Sequence, residues 1–422
     1  MDWLRTARSR QVIAAVLVTA VTAILIGVIL IAATPLGCGP ANVFGLKSIS
    51  SKCYRPLAVA SPSPLATQSA SSSPSPSPSP TPVSSPSPLP SATTPDTGPA
   101  TAAYPPFYPG ATGSNGVITP ARTLNCRLPV FAGPPGSGGF IVFPGGSFIA
   151  DPASAVSLPS PAPGEPSPLP TQQPGQGGPG YGQPTGLSYD APYRKWVPVG
   201  LNQVSPDGSK YVFLSASSIY VEDVASGTLS QTGSGQAWTI VGVQAAGVYA
   251  MQPGKAGLWL VPYTGAPRQI TSVGFWQAAS STGAFGTVTS AVPAGASNEI
   301  IRVDLNTGAL ATWFSRKNSQ SAVMGIDAVG APIISVSYQA QNYYANEVWI
   351  VPSAGHGIPI GGSSQNYDGV NLGGPPAADQ NGVWFPANLR YAGQGFALYV
   401  PGSGVYWMTN LSATLAGGCV KP

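Results

Sequence analysis

Chemistry needs acids, bases, nucleophiles or metal ligands held close together, and this chain is poor in all of them. Its 422 residues include one histidine, His356, and only 8% charged residues. A lone histidine leaves nothing over for a histidine-based metal centre or for a serine–histidine–aspartate triad with a spare ligand. His356 follows Gly355 in a hairpin pattern and is expected to be solvated. The adjacent Arg316 and Lys317 read as a solvated basic spot. Residues 366–371 offer oxygen ligands, but without the regular spacing or the closing Glu of an EF-hand loop. Glu222 and Asp223 are neighbours on a strand pattern, so they point to opposite faces and cannot act as a carboxylate pair. Serine and cysteine nucleophiles lack a base beside them. The expectation is therefore no catalytic residue, no metal and no cofactor.

What remains is aromatic and polar. Asn342, Tyr343 and Tyr344 fall in a stretch of amides and rings between two apolar runs. Tyr367 and Asp368 precede another such run, and Trp276 stands at the head of a third. Rings set beside amides and carboxylates suit a sugar or peptide ligand, provided a scaffold brings the loops together.

That scaffold reads as all-β. The 52 glycines and 48 prolines disfavour helix interiors. Short apolar runs are separated by turn residues, and one unit recurs: an apolar strand, a few turn residues closing on Gly, then a second strand. The closing glycines are Gly146, Gly227, Gly265, Gly308, Gly355 and Gly404, the later ones 38 to 49 residues apart. A repeat of that length is the pattern of a β-propeller blade of four short strands. The one long gap is filled by a low-complexity insert, residues 160–186. The count is six blades, within a range of five to seven. Both-sided apolar runs such as Leu258–Val261 fit strands covered on both faces by neighbouring blades. A β-sandwich would not need the same hairpin at a fixed repeat.

Within residues 204–213, Ser205, Pro206, Asp207 and Gly208 form a good type I turn between two strands. This stretch, followed by Ile219–Val224, resembles the repeats of TolB-type and WD40-like propellers. Leu258–Pro262 with Pro267–Thr271 resembles the last two strands of such a blade. The other copies carry decayed turns, Gln244–Gly247 and Asp379–Gly382. The resemblance implies the fold over roughly residues 118–418 and no catalytic residues, because such propellers serve many functions.

Ahead of the propeller, residues 12–33 form an uncharged apolar run, long enough to cross a bilayer. Residues 1–11 carry Arg5, Arg8 and Arg10, which keep that end in the cytoplasm. The run exceeds a signal-peptide core, and Pro35 occupies the place of the usual apolar residue before a lipoprotein cysteine. The expected organisation is a cytoplasmic N-terminus (1–11), a transmembrane signal anchor (12–33), a short extracytoplasmic segment (34–56), a disordered Pro/Ser-rich stalk (57–116) and a propeller (117–420). Four cysteines, Cys38, Cys53, Cys126 and Cys419, all follow the apolar run, which suits an oxidising compartment. Of three connectivities, Cys38–Cys53 and Cys126–Cys419 is favoured. In a ring the second pair are neighbours at the junction of first and last blades.

The functional expectation is a single-pass cell-membrane protein displaying an extracytoplasmic propeller. It would be a non-enzymatic binding or scaffold module for an envelope protein or polysaccharide. The alternative is a lyase or glycan-processing enzyme of propeller type. The small scattered charge, net +4, carries no basic stripe and argues against nucleic acid.

Overall fold

The computed structural model describes residues 104–112, 118–132, 136–159, 186–214, 218–289, 297–339, 344–363, 370–389 and 393–422. The anchor, most of the stalk, Cys38 and Cys53 lie outside them. Among the described residues there is no α-helix, only strands and two short 3-10 turns, Pro152–Ser154 and Leu201–Gln203. No described helix is long and apolar enough to cross a membrane.

The strands form a six-bladed β-propeller, as the repeat predicts. Blades III, IV and V are plain four-stranded antiparallel sheets, running Thr239–Thr271, Phe275–Ser315 and Ser319–Ser363 in chain order. Blade II pairs Lys210–Leu214, Ile219–Asp223 and Leu229–Thr232, with Val204 bridging to Tyr211 on the inner side. Blade VI pairs Gly382–Leu389, Gly393–Val400 and Gly404–Thr409, with Asn371–Leu372 and Ala377–Asp379 both on its inner edge.

Ring closure takes a form the repeat did not specify. Blade I contains Arg127–Phe131, Gly138–Val142 and Ser147–Ala150, and its fourth strand is Thr414–Leu415 from the C-terminus. Cys126 and Cys419 flank this junction and form a disulfide, 293 residues apart in sequence with Cα atoms at 5.7 Å. Beside it Arg127 and Val420 exchange backbone hydrogen bonds of 2.8 and 2.9 Å.

The turns follow from side-chain chemistry. All six closing glycines have positive φ, between 68° and 153°, a region that costs other residues a steric clash. In blades II and IV the same device recurs. Asp223 and Asp304 accept from backbone N–H groups within the turn, and the Gly227 and Gly308 N–H groups donate back to the Asp223 and Asp304 carbonyls at 2.8 Å. The turn of blade II closes as expected, with Gly208 N–H donating to the Ser205 carbonyl at 2.8 Å.

The core is a ring of between-blade layers rather than one central mass. Trp276 and Ile301 of blade IV pack on Tyr249 and Leu258 of blade III. Trp349 and Ile334 of blade V meet Phe285 and Phe314 of blade IV. Phe385 and Trp407 of blade VI meet Ile333 and Ile350 of blade V. Trp384 and Phe396 face Leu128 and Ile141 of blade I. Burial of each of these aromatics contributes on the order of 2–3 kcal/mol by removing apolar surface from water.

One expectation needs correction. The stretch assigned to the stalk, 57–116, includes a strand, Phe107–Tyr108, that pairs in parallel with the outer strand of blade VI. Tyr108 stacks on Tyr406 at 4.6 Å, and Phe107 packs against the layer between blades V and VI. An aromatic pair breaks the Pro/Ser composition, and the preceding Pro106 still supplies a carbonyl to the Val405 N–H at 2.9 Å.

Candidate functional site

Of the six ligand-site residues expected from sequence, Asn342, Tyr343, Tyr367 and Asp368 lie outside the described residues. Tyr344 opens the third strand of blade V, and its ring is 60% exposed. Trp276 is a correction: it is 2% exposed, packed between blades III and IV, and its Nε1–H donates to the Val273 carbonyl at 3.0 Å. Its ring is core and offers no face to a ligand. Its position at the head of an inner strand explains this, since inner strands are covered on both sides.

The strand register shows what stands with Tyr344. Tyr344 pairs with Gln339, and Asn346, two residues on, pairs with Ser337 and Ser363. Ser337 donates to the Asn346 side chain. Gly362 then hydrogen-bonds across to Val370, which places the start of blade VI at the same end of the ring. There Asn371 stands opposite Asn388, and Asn388 opposite Gln394. Opposed residues put their Cβ atoms about 5 Å apart on one face. Asn371, Asn388 and Gln394 thus form a row of three exposed amides across three strands, and Ser412 donates to Gln394 Oε1 at 2.7 Å. The same face lower down carries Trp384 and Phe396, which pack on blade I.

Beneath this end, between blades IV and V, sits a buried ionic network. Arg316 and Glu347 form a salt bridge with side chains only 5% and 3% exposed. The Trp349 Nε1–H and the Tyr338 hydroxyl also donate to Glu347, at 2.9 and 2.7 Å. The Arg316 guanidinium lies 4.1 Å over the Tyr338 ring. The Tyr104 hydroxyl joins the same carboxylate, and burial, then Glu347, raises it far above the usual phenol range. Tyr338 is raised for the same reasons, partly offset by Arg316. The expectation that Arg316 is a solvated loop residue is therefore overturned. Its partner is 31 residues away on a strand of the next blade, which no local pattern reveals.

Several of the other described carboxylates hold structure. Asp379 accepts from Trp384 Nε1–H at 2.8 Å and from the backbone N–H groups of Asn381 and Cys419. Glu222 accepts from the Tyr211 hydroxyl and Asp223 pairs with Lys210 at 3.3 Å. His356 is exposed, with Nδ1 3.0 Å from the Ala354 carbonyl. Among the described residues no group of three or more His, Cys, Asp or Glu is placed to hold a metal ion.

No protein-family model matches the chain, and no curated protein matches it either. Among solved structures, two crystal structures of the extracellular domain of BT4673 from B. thetaiotaomicron are similar. One is the extracellular domain of a one-component system, the other that of a hybrid two-component system. They are 12% and 11% identical over 50% of this chain, each with a TM-score of 0.23. The matched part spans about a third of those chains, 35% and 34%. Likeness at that score carries no argument about this chain, whose propeller is established by its own sheets.

Proposed function

We propose that this chain is a membrane-anchored extracytoplasmic propeller that binds a neutral glycan of the cell envelope without catalysing its conversion. The observation that carries this reading is the exposed row Asn371, Asn388 and Gln394, held in register across blade VI; the open Tyr344 ring stands at the same end of the ring on blade V, across the sheet of blade VI from the row. Each amide both donates and accepts, which matches the paired needs of sugar hydroxyls. An exposed tyrosine ring offers an apolar platform for a sugar face. The row itself carries no charge, so a neutral ligand meets no unpaired ion there. The Arg316–Glu347 network supports the role by bracing the adjacent interface with buried bonds. The engagement of Asp223, Asp304, Glu347 and Asp379 in turns, an ion pair and braces favours binding over lyase chemistry, which requires a free general base. The apolar run 12–33 and the Pro/Ser-rich stretch expected at 57–116 support a domain held outside the membrane and at a distance from it.

Titration of the full-length chain with a panel of neutral and acidic hexasaccharides tests the reading. Saturable binding of a neutral member, weakened in Asn388→Ala, is the expected result. Binding of acidic members alone, or of none, contradicts it.

A further inference from the structure

We propose that the chain carries a second site, for a small oxyanion, in the cleft beside the Cys126–Cys419 bridge, at the end of the ring opposite the amide row. In blade VI the strand Gly382–Leu389 runs between these two ends. Leu389 closes beside the amides, and Gly382 follows the turn residue Gln380, which lines the cleft.

The cleft encloses about 300 Å³, and three of its lining side chains are cations: Arg127, Arg194 and Lys421. The ion pairs among the described residues fall on Lys210, Arg302 and Arg316, none of which lines the cleft. One carboxylate, Asp379, also lines the cleft, held in place by Trp384 and by the N–H groups of Asn381 and Cys419, so three cations against one anion leave the lining with a net positive charge. One lining side chain has a buried donor with no acceptor, Nε of Arg127, and Nδ2 of Asn381, next to the lining residue Gln380, has none either. Orphaned buried donors are uncommon and call for an explanation.

The geometry holds the cations ready. The Arg127 guanidinium lies 4.9 Å over the Phe140 ring, which fixes its plane. Arg194 sits in the hairpin turn between Ser188–Asp190 and Lys195–Val197 with φ 53°. A long side chain adopts that left-handed conformation at a cost, and such residues cluster at functional sites. The Tyr189 hydroxyl, raised by burial, is drawn down by both Arg127 and Arg194, so both cations lie within electrostatic reach of one phenol. Asp151 and Asp190 act on Tyr189 in the opposite sense. Asp151 is engaged by the Trp196 indole at 2.8 Å and by Ala153 N–H; Asp190 accepts at Oδ1 from Tyr193 N–H at 3.4 Å, while its Oδ2 is buried without a donor. Guanidinium groups bind carboxylate and phosphate through paired, charge-assisted hydrogen bonds. A cleft of this size admits one such group rather than a length of polymer.

The test is calorimetric titration of the full-length chain with inorganic phosphate and, in a separate arm, with citrate. Arg194→Gln and the distant control Lys255→Gln are measured beside the wild type, with melting curves to confirm folding. At least one anion should bind saturably. Arg194→Gln should weaken it about tenfold or more, the worth of one charge-assisted hydrogen bond, and Lys255→Gln should not change it. Saturation by phosphate alone assigns a phosphoryl ligand, by citrate alone a carboxylate, and by both a general oxyanion site. Binding of neither anion overturns the proposal. So does undiminished binding in Arg194→Gln, or an equal loss in Lys255→Gln.

Discussion

Removing Arg316 should be among the most damaging single changes the propeller can suffer, although the residue sits in a short connection between blades. Arg316→Met leaves Glu347 charged and 3% exposed, served only by the neutral donors Tyr338, Trp349 and Tyr104. Breaking a buried ion pair from one side costs about 3–5 kcal/mol, because the other charge stays buried. Against a typical domain stability of about 5–15 kcal/mol, that is a large fraction. Glu347→Gln should cost less. The amide oxygen can take the place of Oε2 and accept from Arg316 and Trp349, the NH2 in place of Oε1 can donate to the Tyr338 hydroxyl, and the Arg316 stack on Tyr338 survives. The double variant Arg316→Met/Glu347→Gln should be more stable than the sum of the two losses allows, by about 2–3 kcal/mol, since it leaves no buried charge alone. Urea denaturation followed by tryptophan fluorescence reads this directly, with Lys317→Met as an exposed neighbour expected to stay within about 0.5 kcal/mol of wild type. A loss below about 1 kcal/mol for Arg316→Met, or strict additivity in the cycle, would refute the reasoning.

Other outcomes follow from the same geometry. Replacing Cys126 and Cys419 by Ser releases a loop of 293 residues and should lower stability by on the order of 5 kcal/mol, read from denaturation with and without reductant. Asp190 is buried, and that burial raises its carboxyl from 3.8 to about 6. Because the folded value is the higher one, wild-type stability falls as pH rises from about 4 to about 6. Asp190→Asn should therefore gain on wild type across that window and match it below pH 4, by pH-resolved melting. A methyl group at Gly395 would lie 1.9 Å from the Thr409 carbonyl, whereas one at Gly227 meets nothing within 4 Å. Gly395→Ala should unfold the domain or cost several kcal/mol, and Gly227→Ala only the roughly 1–2 kcal/mol of its left-handed backbone.

Much of the fold was legible because it depends on local turn chemistry. Closing glycines and the Ser205–Gly208 turn mark hairpins whatever the tertiary context, and their spacing implies blades. The Cys126–Cys419 bridge followed from topology, since only a ring makes neighbours of two distant ends. The site was less legible for the opposite reason. Asn371, Asn388 and Gln394 lie on three strands, and only the pairing register puts them in one row. Arg316 has the sequence context of a solvated loop, and its burial depends on Glu347 arriving from the next blade. Trp276 was misread because an aromatic at a strand head serves equally as platform or as core. Thr414–Leu415 is too short to stand out as the strand that completes blade I.

The binding face on blade VI is most directly tested by the affinity of the full-length chain for a neutral envelope polysaccharide, compared with that of Asn388→Ala/Gln394→Ala. Both side chains are exposed, so the variant should melt like wild type. A loss of about tenfold or more, with an unchanged melting curve, is the predicted result. Equal affinity in the two proteins, or no binding by the wild type, would contradict the account.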